Sequence, residues 1–278
     1  MSGSTDLRSQ VQDAYNATGR SWAEGPIRIY SRLARALVDR SPIPLDGRVM
    51  IDAGAGTGAL SRAMTDAGAT AIAFDLAFAM LAAGRAEDEE TGTRSFVAAA
   101  AGDAGALPFA TSSADGAGAA FSVSHMPSPR TALRELARVV RPGGVILVSS
   151  YGGANPHPAK AAVDAAAAAH GFSPPSWHDE LKQTTEPQVG SVGALRELAA
   201  DAGLLDVQID QERVDVDMTE PIDLVRWRLG MPHLAAFLSS RGEEEREAIA
   251  AAALATIGPR PEPYRPDVLF LSARVGAR

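Results

Sequence analysis

One segment constrains the fold more than any other, the run VMIDAGAGTGA at residues 49–59. Apolar residues typical of a buried strand lead directly into three alternating glycines, and a helix-favouring sequence follows. Glycine lets the backbone approach a ligand closely, and a helix N-terminus offers free N–H groups to an anionic group. Because three glycines in one turn lower stability unless they serve a purpose, the pattern predicts a ligand-binding loop more strongly than a plain tight turn.

The glycine loop satisfies two different binding patterns. Gly54, Gly56 and Ala59 fit the G-x-G-x-x-G/A pattern of dinucleotide-binding folds. Gly54, Gly56 and Gly58, led by Asp52, also fit the D-x-G-x-G-x-G pattern of folds that bind S-adenosylmethionine. The loop alone therefore leaves the choice between these two ligands open.

A carboxylate ends the next predicted strand. Asp75 follows Gly58 by 17 residues, where an acid can accept hydrogen bonds from both hydroxyls of an adenosine ribose. The same residue can instead cap the helix that follows it. Since both candidate ligands contain adenosine, Asp75 supports an adenosine ligand without choosing between them.

Strands and helices alternate through the middle of the chain, which predicts a parallel sheet covered on both faces. The predicted strands cover residues 48–53, 70–75, 94–101, 116–123 and 145–151, and the predicted helices cover 57–67, 76–85 and 130–140.

Composition removes several classes of function. The 26 basic and 34 acidic residues leave a net charge of −8, and an acidic chain is a poor partner for nucleic acid or anionic membranes. Cysteine is absent, which removes disulfides, thiol nucleophiles and cysteine-ligated metals. The N-terminal residues are polar and no apolar run is long enough to span a bilayer, so we expect a soluble, cytoplasmic protein.

Further motifs follow the later strands in a fixed order. Gly102-Asp103-Ala104 follows the third, Phe121-Ser122-Val123-Ser124-His125 follows the fourth, and a helix ending in Pro142-Gly143-Gly144 leads into the fifth. Together with the glycine loop, this series over residues 48–151 resembles the class I S-adenosylmethionine-dependent methyltransferases. It is most similar to the type 11 branch, which includes the ubiquinone and menaquinone methyltransferases.

The resemblance implies a Rossmann-like, doubly wound, seven-stranded α/β sheet with an antiparallel last strand. It also implies that S-adenosylmethionine is the cofactor, with its methionine part on the glycine loop and its ribose on Asp75. The cofactor-binding residues that it implies are Tyr15, Asp52, Gly54, Ala55, Gly56, Gly58, Asp75, Leu76, Met80, Gly102, Asp103, Ala104, Phe121 and Ser122.

The rest of the chain is predicted to form a lid on this core. We expect one domain over residues 1–278, with an N-terminal helical lid at 1–45 and a cofactor-binding core at 46–151. Two insertions, 152–187 with one Ala-rich helix and 217–260 with helical character, would cover the substrate. A helix at 192–203 and strands at 204–216 and 264–275 complete the expected sheet.

The reaction implied is transfer of a methyl group to a C, N or O atom of a small organic metabolite, which we expect to be an aromatic or polycyclic natural product. His125 is the first candidate for a general base because it follows a central strand at its carboxyl end, although it can equally be a structural histidine. Tyr15 is the second candidate, and His157, His178 and His233 are weaker ones. The expected substrate contacts are Trp22, His125, Tyr151, Trp177, His178, Trp227 and Met231.

Two alternatives remain beside methyl transfer. One is an NAD-dependent oxidoreductase, and the other is a methyltransferase fold that uses the cofactor without transferring its methyl group, for example to guide a cyclisation. The sequence predicts no metal site, and it predicts a small-molecule substrate, no nucleic-acid or membrane partner, and a monomer or homodimer.

Overall fold

The computed structural model describes residues 3–277 of the chain. Seven strands form one sheet: β1 (Val49–Ala53), β2 (Thr70–Asp75), β3 (Ala98–Ala101), β4 (Ala114–Ala120), β5 (Val140–Tyr151), β6 (Leu204–Arg213) and β7 (Asp267–Val275). The helices of the described residues are α1 (Gly3–Glu24), α2 (Ile27–Val38), α3 (Ala59–Asp66), α4 (Phe78–Thr91), α5 (Pro129–Val139), α6 (Pro158–Ala169), α7 (Ser176–Thr184), α8 (Glu186–Val189), α9 (Val192–Asp201), α10 (Pro221–Leu229), α11 (Pro232–Ser239) and α12 (Glu243–Ile257).

The strand order is β3-β2-β1-β4-β5-β7-β6. Strands β1 to β5 pair in parallel, whereas β7 runs antiparallel to both β5 and β6. The expected seven-stranded sheet with an antiparallel last strand is confirmed. In such a sheet, ligands bind beyond the carboxyl ends of the strands where the order reverses, here between β1 and β4.

Both faces of the sheet are buried at its central strands β1, β4 and β5, where successive residues point to opposite sides, whereas β3 and most of β6 are exposed. In β1, Met50 packs with α2 and α3, while Ile51 packs with α5 on the other face. The first layer centres on Leu33 and Leu60 and the second on Leu136. The strands are therefore nearly continuously apolar, as buried parallel strands require.

Apart from Asp115, the central strand β4 is made of alanine and glycine, which are poor strand formers. Its glycines make room for neighbours: a Cβ at Gly116 would lie 2.7 Å from the Met50 thioether, and one at Gly118 would lie 2.6 Å from Leu60. Tertiary packing therefore overrides the weak local preference. The close approach of α3 to the sheet depends on these missing side chains.

The two predicted insertions are helical, with one correction. Residues 152–187 contain α7 and the start of α8 in addition to the Ala-rich helix α6, where a single helix was expected. Pro174 and Pro175 suggested a loop, but Pro175 is the N-cap of α7, a place where proline does not interrupt a helix. No helix within residues 3–277 has the length and apolar character needed to cross a membrane.

The N-terminal helices and the second insertion interlock at two glycines. Gly25 lies between α1 and α2, and its missing Cβ would be 2.5 Å from the Arg226 carbonyl oxygen in α10. Gly230 lies between α10 and α11, and its Cβ would be 2.6 Å from the Pro26 ring and from the Ser21 carbonyl oxygen. Each corner of one helix pair thus fills the space that the other leaves open.

Candidate cofactor and acceptor site

A pocket opens at the carboxyl ends of β1, β2 and β4, where the fold places a ligand site. It is bounded by the glycine loop, by the residues after β2, β3 and β4, and by α1 as a cover. Its walls are formed by Val11, Tyr15, Trp22, Tyr30, Asp52, Gly54, Ala55, Gly56, Thr57, Ala59, Leu60, Phe74, Asp75, Leu76, Met80, Gly102, Asp103, Ala104, Ala120, Phe121, Ser122, His125, Met126 and Pro127.

The glycine loop owes its shape to backbone angles that other residues rarely adopt. Gly54, Gly56 and Gly58 all have positive φ, at 72°, 57° and 93°. A Cβ at Gly54 would also lie 2.3 Å from the Cβ of Ser122, whose hydroxyl donates to the Ala53 carbonyl at 2.7 Å. The N–H groups of Gly54 and Ala55 both donate to the Phe74 carbonyl. The loop is therefore fixed against the end of β2, and a side chain at its first glycine would break it.

Asp75 joins β2 to the glycine loop. One carboxylate oxygen accepts from the Gly56 N–H at 2.7 Å and the other accepts from the Ala77 N–H at 2.7 Å. Burial raises the pKa of Asp75, and these two backbone bonds oppose that rise. Each oxygen keeps a second lone pair, so the carboxylate has the capacity to accept two ligand hydroxyls as well.

Asp52 is completely buried at the pocket wall. Its Oδ2 accepts from the Ser61 N–H at 2.8 Å and from the Ser61 hydroxyl at 2.6 Å, whereas Oδ1 has no hydrogen-bond partner within residues 3–277. Burial raises the pKa of Asp52 from 3.8 to about 7. Buried acceptors are almost always paired, so the orphaned Oδ1 fits a site that is completed by a ligand donor.

The wall opposite the loop is apolar and closely packed. Leu76 and Met80 line it from the start of α4, and a Cβ at Gly102 would lie 2.6 Å from the Phe74 ring. Asp103 accepts from the Gly105 N–H at 2.8 Å and pairs with an Arg8 side chain 3.1 Å away. A flat apolar slot with a carboxylate at its edge suits an adenine ring.

Helix α1 is anchored across the mouth of the pocket. The Gln12 amide donates to the Leu76 carbonyl at 2.9 Å, and Asn16 accepts from the Ala79 N–H at 3.1 Å. These bonds hold Tyr15 over the cavity. Its ring lies 5.7 Å from the His125 ring in an edge-to-face arrangement.

Aromatic rings continue the pocket from Tyr15 towards the sheet. Trp22 stacks on Tyr30 at 4.9 Å, and Tyr30 meets the edge of Phe121 at 5.3 Å. Phe121 has a φ of +56°, a strained value for a non-glycine residue that is held by its neighbours and often marks a functional site. The strain turns the chain just after β4, between the glycine loop and the aromatic residues.

His125 follows Phe121 on a short 3-10 turn, and its Nδ1 is buried without a hydrogen-bond partner in the described chain. Burial lowers the pKa of His125 to about 4. Burial also raises the pKa of Tyr15 well above 10, and nearby Tyr30 and Asp75 raise it further. At neutral pH the site thus presents a neutral imidazole and a protonated phenol.

All of the cofactor residues expected from the sequence line this one pocket except Gly58, which lies in the same loop with its Cα packed towards Phe96. So do two of the expected substrate residues, Trp22 and His125. Five expected substrate residues do not line it: Tyr151, Trp177, His178, Trp227 and Met231.

Those five residues have other roles in the structure. Tyr151 lies behind the pocket, where its hydroxyl donates to Tyr30 at 3.2 Å. Trp177 on α7 packs against α1, and Trp227 stacks on the Tyr264 ring at 4.3 Å within the hydrophobic core between lid and sheet, so both serve packing. Met231 packs against that core from the α10–α11 corner, and His178 lines a separate cavity in the lid.

Gly84 supports the glycine loop, and the sequence analysis did not identify it. It lies inside α4, where a Cβ would be 2.5 Å from the Thr57 carbonyl oxygen in the glycine loop. A glycine within a predicted helix is costly, and this cost is the signal that could have identified it. Another candidate base, His157, is explained structurally, because it caps α6 through Nδ1 and bonds the Glu262 carbonyl at 2.9 Å.

Comparison with known proteins agrees with this geometry. Residues 51–148 match the family described as a methyltransferase domain. A demethylmenaquinone methyltransferase of Renibacterium salmoninarum is 33% identical over 141 residues, which cover 51% of this chain and 55% of that protein. The chain thus spans about half the length of the curated relatives it matches.

Two solved structures show the same fold at low identity. A phosphoethanolamine N-methyltransferase 2 of Haemonchus contortus, in complex with phosphomonomethylethanolamine and S-adenosylhomocysteine, aligns with a TM-score of 0.57 and 17% identity, over 88% of this chain and 53% of that chain. The [4+2]-cyclase SpnF aligns with a TM-score of 0.53 and 22% identity, over 89% of this chain and 81% of that chain.

The strand order also separates the two ligands that the glycine loop left open. Dinucleotide-binding sheets of the common type have the order 3-2-1-4-5-6 with parallel strands, whereas here the antiparallel β7 lies between β5 and β6. This strand order does not favour the oxidoreductase alternative, and it agrees with the methyltransferase-domain match of residues 51–148. The match to the methyltransferase-domain family thus covers residues 51–148, and the sheet built around them has the fold of the methyltransferases of known structure.

Proposed function

We propose that this protein transfers a methyl group from S-adenosylmethionine to a C, N or O atom of a small organic acceptor, of the aromatic or polycyclic type. One observation carries the proposal: the cofactor pocket continues into aromatic walls under the lid. Tyr15, Trp22, Tyr30 and Phe121 bound the same cavity as the glycine loop and Asp75. An enclosed apolar pocket with a few polar groups is typical of small-molecule sites.

The residues present fit the cofactor. Asp75 would hold the ribose hydroxyls, the glycine-loop backbone would lie against the methionine part, and Leu76, Met80 and Asp103 would contact the adenine. The orphaned Oδ1 of Asp52 is available to a donor on the methionine part. When bound, the cofactor supplies an electrophilic methyl group on a positively charged sulfur.

The contribution of the protein to the reaction is mainly placement. Holding two reactants in line is worth several kcal/mol of the barrier, of the order of 7 for a well-oriented pair. Trp22 and Phe121 offer flat surfaces for an aromatic acceptor, and α1 excludes water from above. Tight placement therefore supports reaction with acceptors that are already nucleophilic.

Proton movement has a smaller part in the proposal. A general base works best with a pKa near the working pH, and the pKa of His125 is lowered to about 4. Its neutral ring is better suited to hydrogen-bond and orient the acceptor than to remove a proton from it. Tyr15 keeps its proton and can donate a hydrogen bond to an acceptor oxygen or nitrogen.

A screen with methyl-labelled cofactor tests the proposal. The protein is incubated with aromatic and polycyclic amines, phenols and activated carbon acids, and label is measured in the organic product. We expect transfer to at least one acceptor, with loss of transfer in Asp75→Ala and retention in the exposed-charge control Arg246→Gln. Turnover of an acceptor without label in the product would contradict methyl transfer.

The setting of this reaction is also a proposal. We place the protein in the cytoplasm as a monomer or homodimer that tailors a natural product. We further propose that residues 1–278 work as one domain, in which 1–45 and the insertions 152–187 and 217–260 form the lid over the core 46–151. The interlocked corners at Gly25 and Gly230 support a single unit.

A further inference from the structure

A second cavity lies inside the lid, apart from the cofactor pocket. Its volume is about 250 Å³, several times the space that one water molecule occupies. It is lined by Asp164, Ala168, Phe172, Pro174, His178, Lys182, Arg228 and His233. All of these residues belong to the two insertions, which the cofactor motifs do not explain.

One buried nitrogen at the cavity, Nε2 of His233, has no hydrogen-bond partner among the described residues. His233 is only 5% exposed. Its ring stacks on that of His178, with centroids 4.3 Å apart and the planes 4° from parallel. A buried nitrogen without a partner is costly, and the cavity gives room for the missing one.

The charges around the two imidazoles favour an anion. Arg228 is neutralised by Asp164, which it contacts through two hydrogen bonds of 2.8 and 2.7 Å. Lys182 forms no ion pair with a carboxylate of the described residues, so the lining has one excess positive charge. Lys182 is near enough to Glu186 to act on the pKa of that carboxyl group, but Glu186 does not line the cavity.

The histidines respond to the same excess of positive charge. Burial first, and then the nearby charge of Lys182, lower the pKa of His178 to about 3. The pKa of His233 is lowered by burial first and then by Arg228 and His178. An anion in the cavity would offset this repulsion and accept a hydrogen bond from the imidazole pair.

The cavity lies beside the acceptor end of the main pocket. Thr185, at the end of the helix α7 that carries His178 and Lys182, donates a hydrogen bond to the Ser124 carbonyl. Ser124 directly precedes His125, which lines the cofactor pocket. A molecule held near His125 therefore has a polar, cationic cavity on its lid side.

We propose that this lid cavity binds an anionic group, a carboxylate or a phosphate, carried by the methyl acceptor. The inference rests on the proposed function, since it specifies the acceptor of that same reaction. His233 and His178 donate to the anion, and Lys182 supplies the opposite charge. Aromatic binding near Trp22 and anion binding near His233 together define an acceptor with an apolar body and one acidic group.

Binding is tested directly on the full-length protein with inorganic phosphate and acetate. The histidine C2 proton signals are followed by NMR and assigned with the variants His178→Gln and His233→Gln. We expect saturable shifts of these two signals, and an affinity about tenfold weaker in Lys182→Gln, since a hydrogen bond to a charged group is worth that much. Arg246→Gln, an exposed charge on α12, is the control that should not change it.

A second arm asks whether the anion is part of the acceptor. Carboxylic acids and their primary amides are compared as acceptors, and Lys182→Gln should raise KM about tenfold for the acid and less than twofold for the amide. Equal kcat/KM for acid and amide in the wild type would overturn the assignment to the acceptor, even if the first experiment shows that phosphate binds.

The absence of any shift with phosphate or acetate would overturn the anion site itself. Failure of the proposed function is separate and has its own signature. In that case no acceptor gains labelled methyl, although calorimetry still shows cofactor binding.

Discussion

The buried carboxylate of Asp52 makes the stability of the cofactor-free protein depend on pH in an unusual direction. Its pKa is about 7 in the folded state against an ordinary 3.8. Between these values the folded state keeps a proton that the unfolded state has released, so stability falls as pH rises. Each pKa unit is worth 1.36 kcal/mol, and linkage over the range from pH 5 to 8 gives a loss of about 3 kcal/mol.

The substitution Asp52→Asn removes this titration and keeps an oxygen to accept from the Ser61 N–H and hydroxyl. At pH 5 the variant carries its own small cost, because the new amide N–H groups are buried. By pH 8 its stability relative to the wild type should have risen by about 3 kcal/mol. Only the change between the two pH values tests the reasoning, since the fixed cost cancels.

Urea unfolding followed by tryptophan fluorescence at pH 5, 6, 7 and 8 measures this change. The variant Asp66→Asn, an exposed carboxylate on α3, is the matched control and should show the wild-type pH dependence. A constant difference between Asp52→Asn and the wild type at every pH would refute a raised pKa at Asp52. A difference that moves in the opposite direction would mean that the folded protein stabilises the carboxylate.

Three further predictions test the site. Gly84→Ala should destabilise the protein by about 1–3 kcal/mol in the same urea assay, because a Cβ would meet the Thr57 carbonyl oxygen 2.5 Å away; Gly193→Ala, in the open on α9, should instead stabilise it by about 0.5–1 kcal/mol, and a gain at Gly84 would contradict the packing. Asp75→Ala should weaken S-adenosylmethionine binding about 10- to 100-fold by calorimetry, and an unchanged affinity would remove its assignment to the ribose. His125→Asn should lower kcat/KM about tenfold, with no inflection from this residue above pH 5 in the wild-type rate profile; a loss of about 10² to 10⁴ with such an inflection would make it a general base.

The cofactor half of the molecule could be predicted because its signals are local. The loop at residues 54–58 needs glycine for its positive φ angles, and each strand end carries its own polar residue. The third strand shows the limit of this approach, since only Ala98–Ala101 of the predicted 94–101 pairs in the sheet. Ser95 instead donates to Asp88, and Phe96 packs under Gly58. No local sequence pattern predicts these contacts.

The acceptor half was harder to predict because apolar patterns do not say what covers them. Trp177 and Trp227 have the spacing of buried helix residues, and they pack against α1 and Tyr264 where substrate contacts were expected. His178 and His233 are 55 residues apart in the chain, and only the meeting of the two insertions brings their rings together. Tertiary contact of this kind cannot be read from one sequence.

The interlocked glycine corners decide how a ligand can reach the buried site. Because Gly25 rests against α10 and Gly230 rests against the turn between α1 and α2, a motion that lifts the N-terminal cover also displaces the second insertion. We therefore expect ligand entry and exit to require one concerted displacement of Tyr15, Trp22 and the α10–α11 corner. A bulkier residue at either corner would push the two helix pairs apart. It would change the rates of ligand association and dissociation without contacting the ligand-binding residues.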